Sequence, residues 1–457
     1  MSGDRASGFF RVVRAPWPML AATCAVVLIG GLLASTTAAT AQTAMAKDAS
    51  PAKSAAKKSA SSKGKAARNS VPEAKLEAAS FADLIGWETD DHLKAFKTFV
   101  KSCNDAIRMA ERPTTRAIAQ CRVPGSVLAS ACRLAQSADV STKAAAKAFF
   151  EANFAPHRVV HTKNEGLLTG YYEPVMQGSR TRQGKFQTPV YKRPTDLMNV
   201  VDEADRASQP DGLTHVRRTS SGTSAYPTRA QIEQGALDGK GLELLYLEDA
   251  VEAFFMHIQG SGRVELTDGT TVRINYDGKN GHPYSSIGRY LIENEILPAN
   301  KMSMQALGKW LREDKERGQK VMWQNQSYVF FRELGDGEGP MGAMQVELTP
   351  GRSLAVDPAY HALGTPIYLS VPGLKGAKKD DGFHRLMVAQ DVGSAIKGAE
   401  RGDIYFGSGK AAGKLAGTTR HAGNFYVLLP VAAEAAAGQG LRFGEHLQWQ
   451  TTVKSAR

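Results

Sequence analysis

Between residues 80 and 154, apolar positions recur every three or four residues. The stretches "ADLIGWETDDHLKAFKTFVKSCNDAIRMA" and "STKAAAKAFFEANF" carry this spacing, which predicts amphipathic helices. From Leu167 the rhythm shortens. "LLTGYYEP", "QTPVYKRP", "LELLYL", "VEAFFMHIQGSGRVEL" and "TVRINY" read as strands, with Asp268-Gly269 and Asp277-Gly278 as the turns between them. A helical patch follows in "SSIGRYLIENEIL" and "SMQALGKWLRE". Strand patterns then resume in "SYVFFREL", "TPIYLSV", "HRLMVAQD", "DIYFG" and "NFYVLLP". No repeat of fixed period is present. The expected fold is mainly β, with a helical lead-in and a helical insert.

Composition agrees with that picture. At 457 residues and 42% hydrophobic content the chain is long enough for two domains with cores, and 44 glycines with 20 prolines favour turns and short strands. The formal charge of +12 at first suggests an acidic polymer as partner, but the excess is uneven. Residues 1–41 carry three arginines against Asp4, and residues 42–75 carry eight Lys/Arg against Asp48 and Glu73. Those segments hold +2 and +6, so +4 remains for the folded part, an ordinary surface. Nucleic acid is therefore not an expected partner.

The first 41 residues read as an export segment. Arg5, Arg11 and Arg14 precede the apolar run "MLAATCAVVLIGGLLA", and Ala39-Thr40-Ala41 is an acceptable cleavage site; an uncleaved anchor helix is the other reading. Either way the body of the protein is expected outside the cytoplasm, in the periplasm. Cys24 is no convincing lipidation site, because Thr23 precedes it and the apolar core largely follows it. Membrane association therefore has no lipobox behind it. Residues 42–75 collapse to Ala, Lys and Ser and are expected to be a disordered linker. Cys103, Cys121 and Cys132 then remain, enough for at most one internal bridge in an oxidising compartment.

Familiar chemical motifs fail one by one. "GSGKAAGKL" lacks phosphate-loop spacing and the Ser/Thr that should follow Gly413-Lys414, and no HExxH or G-x-S-x-G is present. The ten histidines are scattered, so no metal is expected, and no cofactor. What remains is a pair of aspartates. In "LMVAQDVGSAIKGAERGDIYFGSG" an apolar run ends at Asp391, and after eleven residues Asp403 opens the next. A strand–loop–strand of this length can set both carboxylates at one rim of a barrel. Either both cap loops, or they share a site in which charge and partial burial keep one protonated as a general acid.

The ordered motifs "LLTGYYEP", "MHIQGSGRVEL", "YDGKNGHPYSSIGRYL", "NQSYVFFRE", "LAVDPAYHALGTPIYL", "MVAQDVGSAIKG" and "GDIYFGSG" together resemble the membrane-bound lytic murein transglycosylase A family. The last three resemble the three-aspartate pattern of its 3D domain, a double-psi β-barrel, in Asp357, Asp391 and Asp403. The match runs from about Gly166 to Pro430. It implies two β domains flanking a groove. The barrel would form from residues 76–173, which include the helical lead-in, and from 340–457, with 174–339 inserted as the second β domain.

The resemblance implies a substrate as well: the glycan strand of peptidoglycan, cut between N-acetylmuramic acid and N-acetylglucosamine with a 1,6-anhydromuramyl end. Closing the sugar's own 6-hydroxyl onto C1 needs no activated water, so one carboxyl can serve as acid and then base, where a hydrolase uses two. By resemblance the catalytic aspartate is Asp403. Asp391 either hydrogen-bonds and orients it or raises its pKa, Asp357 holds the barrel loop, and Lys397 supports charge in the site. Sugar contacts are expected from Thr169, Tyr171, Tyr172, Gln259, Ser261, Tyr276, Lys279, Asn280, His282 and Ser286. A cell-wall synthesis or hydrolysis complex is a possible partner. Two other functions fit part of the pattern: a non-catalytic wall binder of the expansin type, and a muramidase that yields reducing ends.

Overall fold

The computed structural model describes residues 74–111, 125–162, 166–202, 209, 211–335, 339–374 and 382–431. The export segment, Cys24, Cys121 and the linker up to residue 73 lie outside the described residues. Ala74 and Lys75, the last two residues of the expected linker, begin a strand.

In chain order, β1 (Ala74–Ala78) precedes three helices, α1 (His92–Glu111), α2 (Gly125–Ser137) and α3 (Lys143–Asn153), then β2 (Phe154–His161) and β3 (Gly166–Glu173). After Pro174 come β4 (Val175–Ser179), β5 (Thr188–Tyr191), β6 (Leu197–Asn199), β7 (His215–Thr219), β8 (Gly222–Ala225) and the single turn α4 (Arg229–Gln231). Next are β9 (Glu243–Leu247), α5 (Ala250–Gln259), β10 (Ser261–Leu266), β11 (Thr271–Lys279), α6 (Ile287–Glu293), α7 (Met304–Glu313), α8 (Lys315–Met322) and β12 (Val329–Glu333). The last group is β13 (Ser353–Val356), β14 (Pro366–Val371), β15 (Phe383–Val392), β16 (Arg401–Ser408), α9 (Gly409–Thr418) and β17 (Arg420–Pro430).

Six of these strands close a barrel in the order β3-β17-β14-β15-β13-β16 and back to β3. Two pairs, β13 with β15 and β16 with β3, are parallel. The ribbon β1-β2 extends the sheet along β17. β14 is buried at every position, and its Tyr368 packs against the lead-in, with the ring 5.5 Å from Trp87 and the hydroxyl donating to Ile85 O at 2.7 Å. Phe96, Phe99, Cys103 and Ala106 of α1 belong to the same apolar cluster as Val356, Leu369 and Val388 of the barrel. Cys103 and Cys132 form a disulfide tying α1 to α2. A buried pair, Arg352 Nη2 to Asp90 Oδ1 at 2.6 Å, fastens the lead-in to the barrel, and Asp90 also accepts from the Leu386 N–H at 2.8 Å.

The segment between β3 and β13 builds a six-stranded sheet, β12-β11-β10-β4-β9-β5, and a small sheet, β6-β7-β8. Two expectations need correcting there. "VEAFFMHIQ" is helix α5, not strand. Asp249 caps its start through the Val251 N–H at 2.8 Å, and Gly260 ends it with φ 80°. Ala253 and Met256 pack on the sheet while Val251, Phe254 and Phe255 pack on α6–α8, so the run is apolar on all sides and its period is hidden. Asp277-Gly278 is no turn between strands either. It is a bulge within β11, where the pairing with β12 shifts between Tyr276 and Gly278.

Candidate active site at the barrel rim

Asp391 and Asp403 do not sit on a simple hairpin. β13 lies between their strands, and Ala355 is the ladder partner of both, Asp391 in parallel β15 and Asp403 in antiparallel β16. Two strand spacings put the backbones about 10 Å apart. The pairing of β13 with β15 is irregular at this point: Leu354 pairs with Ala389 and Ala355 with Asp391, so Gln390 is the extra residue. Its buried amide donates to Thr98 O at 3.0 Å and to Ser102 Oγ at 2.6 Å, and its oxygen accepts from Ser353 Oγ. Regular pairing would set Gln390 opposite Ala355, so the bulge and its anchor on α1 re-aim Asp391.

Alternation along β16 sends Ile404 into the main core and turns Asp403 and Tyr405 to the other face. Thr169 pairs with Asp403 across the parallel ladder, and its hydroxyl donates to Asp403 Oδ1. Two pairs further on, the Tyr171 and Tyr405 rings lie 5.2 Å apart. Gly170 between these neighbours is required, because a Cβ there would come within 2.4 Å of the Phe406 ring.

Burial raises the pKa of Asp403 to about 6 although Thr169 and Arg401 pull it down. Asp391 is also raised to about 6 by burial, with the charge of Asp403 adding and three donors opposing. Those donors are Val392 N at 2.9 Å and Ala343 N at 3.0 Å on Oδ1, and the Tyr171 hydroxyl at 3.0 Å on Oδ2. Of the two alternatives expected for Asp391, a hydrogen bond to Asp403 or a like-charge effect, the like charge acts between the pair as the raising effect of Asp403 on Asp391, while each carboxyl has its own hydrogen-bond donors.

Asp357 is buried in a loop-holding arrangement, its carboxylate accepting from Ala359 N at 3.1 Å and Gly398 N at 2.8 Å. Lys397 Nζ stands 3.9 Å from Asp357 Oδ1, so it pairs with the loop carboxylate. Of the expected sugar contacts, Thr169 and Tyr171 are engaged with the two aspartates. The backbone N–H of Tyr172 donates to Gln259 Oε1 at 3.0 Å, and its ring lies against Gly413 of α9. Lys279 donates to Ser394 Oγ, 3.1 Å away in the loop after Asp391. Tyr276 is 42% exposed, while Ser261 is buried at the start of β10.

Three expected contacts are occupied by the inserted segment's own packing. Asn280 is fully buried, donating to Pro227 O and Gln326 O and accepting from Tyr328 N, each at 2.9 Å. His282 Nε2 lies 2.7 Å from Tyr226 O, and Ser286 caps α6. Gly281 completes that corner with φ 87°, where a Cβ would come within 2.2 Å of His215 O. A cavity of about 1050 Å³ is lined by Gln177, Glu252, Arg312 and Lys315 of the inserted segment and by Lys410 of α9; neither aspartate lines it.

Residues 167–332 match the MltA specific insert domain and residues 352–429 the 3D domain. A crystal structure of a membrane-bound lytic murein transglycosylase from Agrobacterium tumefaciens is 37% identical, with a TM-score of 0.71 over 79% of this chain and 99% of that one. The chain belongs to the MltA family. Membrane-bound lytic murein transglycosylase A of Escherichia coli K12 is 37% identical over 266 residues, 57% of this chain and 65% of the relative's own length. The structure of E. coli MltA with bound chitohexaose is 32% identical, with a TM-score of 0.50 over 67% of this chain and 83% of that one.

Within this MltA-family chain, two site residues escaped the sequence reading. Glu173, fully buried where β3 leaves the barrel, accepts from Arg273 Nε at 2.9 Å and from Ser408 Oγ. Asn275 of β11 is 3% exposed and clasps Met341. No signal in the sequence marked Asn275: in "TVRINY" Val272-Arg273-Ile274-Asn275 alternates apolar and polar and sets Asn275 on the polar side, yet both Ile274 and Asn275 are buried.

Proposed function

We propose that the chain is a lytic transglycosylase of peptidoglycan, with Asp403 as its acid and base. The observation that carries this reading is Asp403 itself, a carboxyl raised to about 6 by burial and held by one hydroxyl donor. Such a group keeps a useful protonated fraction near neutral pH and, once ionised, is a stronger base than an ordinary carboxylate. The protonated carboxyl gives its proton to the oxygen between N-acetylmuramic acid and N-acetylglucosamine as the bond from that oxygen to C1 breaks. The 6-hydroxyl oxygen of the muramic residue then bonds to C1, and its proton passes to the Asp403 carboxylate. The acid is regenerated, no water is consumed, and the products are a new 4-hydroxyl and a 1,6-anhydro end.

Asp391 supplies a second carboxyl on the neighbouring side of Ala355, available to stabilise positive charge developing at C1. The chitohexaose bound by the E. coli protein supports a β-1,4-linked N-acetylated sugar chain as the ligand class. The names of the relatives support work on murein at the cell envelope.

The test is a mass spectrum of the soluble products released from purified peptidoglycan by the full chain and by Asp403→Asn. The reading requires anhydromuropeptides from the first and none from the second. Fragments heavier by one water would make the protein a muramidase, and wall binding without fragments an expansin-like binder.

A further inference from the structure

We infer that β11 of the inserted segment positions the Asp391 carboxylate, through Asn275 on one side and Lys279 on the other. The inference rests on the transglycosylase reading only for its effect on turnover; the positioning itself can be measured separately.

Asn275 and Lys279 are four residues apart on one strand, and each reaches a different segment next to Asp391. The Asn275 amide grips both backbone groups of Met341, donating to the carbonyl at 3.2 Å and accepting from the N–H at 3.0 Å. Two residues later the Ala343 N–H lands on Asp391 Oδ1 at 3.0 Å. The segment between them is tightly seated. A Cβ on Gly342 would meet Gln390 O at 2.6 Å, and the Met344 N–H donates to that same carbonyl at 3.2 Å. Gln390 is the bulged residue that aims Asp391, so one short segment contacts both the bulge and the carboxylate. From the far end of β11, Lys279 donates to Ser394 Oγ at 3.1 Å, three residues beyond Asp391. Lys279 is only 7% exposed.

The inserted segment therefore fixes both approaches to Asp391, the donor that arrives from residues 341–345 and the loop that departs through residue 394. A backbone N–H held on a carboxylate favours its charged form, and releasing that donor moves the titration upward. The ionisable groups facing Asp391 are Tyr171 from β3 and Asp403 from β16, with Lys279 of β11 reaching the loop that follows. None of them is altered in Asn275→Ala.

The experiment is a ¹³C-carboxyl NMR titration of aspartate-labelled full chain, with the Asp391 signal assigned through Asp391→Asn. Asn275→Ala and Lys279→Met are compared with the unaltered chain and with Lys279→Arg, which retains a donor for Ser394. Folding is checked by circular dichroism. The Asp391 midpoint is expected to rise by about half a pH unit or more in Asn275→Ala. Turnover of peptidoglycan should fall about tenfold in Asn275→Ala and Lys279→Met while half-saturation stays within twofold, and Lys279→Arg should recover most of it. If Asn275→Ala fails to fold, Lys279→Met against Lys279→Arg decides by the same split. An unmoved or lowered midpoint in Asn275→Ala, or a rise in half-saturation with turnover intact, would overturn the inference. A raised midpoint in a chain that releases no anhydromuropeptides would sink the proposed reaction and leave the positioning standing.

Discussion

The barrel and the inserted segment solve the problem of holding a polar site in opposite ways. The barrel has one large apolar cluster, extending from its strands into α1–α3, and sets its two carboxyls beside a second, small one made by Tyr171, Leu348, Ala355, Ile396 and Tyr405. The inserted segment divides its apolar residues into three separate clusters and holds its polar hub, Asn280, inside its own fold. Carboxyls whose pKa must be raised need a dry, closed scaffold. Amides and cations that only have to reach and hold can stand on a looser one.

The sharpest way to break that contrast is Asp403→Asn. Release of anhydromuropeptides should fall by about 10²–10⁴-fold, the usual worth of a positioned acid, while the chain still sediments with peptidoglycan. Loss of sedimentation as well would mean that the barrel binds substrate as much as it acts on it. The same variant tests the dry scaffold. Raising a carboxyl from 3.8 to about 6 costs the folded state about 3 kcal/mol. The cost is absent below pH 4, grows as pH rises between the two values, and is complete above about 6. Denaturant unfolding of Asp403→Asn against the unaltered chain should therefore show a stability gain at pH 7 that vanishes near pH 4.

A smaller effect is expected from Thr169→Val. The Thr169 hydroxyl stabilises the carboxylate, so its loss pushes the Asp403 pKa higher. Activity that needs the protonated acid should then persist to higher pH, visible as an alkaline shift of the descending limb of the rate profile. A shift towards acid would show that Thr169 does more than feed Asp403. The smallest effect belongs to the inserted segment. Tyr276→Ala removes an exposed ring, and its expected signature is a several-fold rise in half-saturation with turnover unchanged. A fall in turnover would instead place that ring close to the reacting bond.

Much of this was legible in the sequence. Asp391 and Asp403 stood out because aspartate is a poor strand former, and the strands around them carried clear patterns. The intervening strand did not announce itself. β13 is four residues long, and its place between β15 and β16 depends on pairings that no local pattern encodes. α5 hid its helical period because both of its faces are buried. α9 hid within "GSGKAAGKL", where two internal glycines mask a helix that fits close against Tyr172. Asn280, His282 and Ser286 were expected to touch sugar because they stand in a motif resembling the family's, and polar residues gathered around a glycine turn look alike whether they face a ligand or their own backbone. Only their partners distinguish the two.

The bond between Thr169 and Asp403 joins residues 234 positions apart, with the whole inserted segment between them. Loop-closure entropy rises with the length of chain to be closed, and contacts this distant slow the formation of a fold. The inserted segment, whose sheet pairings all lie within β4–β12, can therefore collapse while the carboxyl and its hydroxyl donor are still far apart. β16 and β17 complete the ring near the end of the described chain. A chain ending before them would keep Thr169 and Tyr171 yet lack Asp403, so this architecture brings the proposed acid into place last.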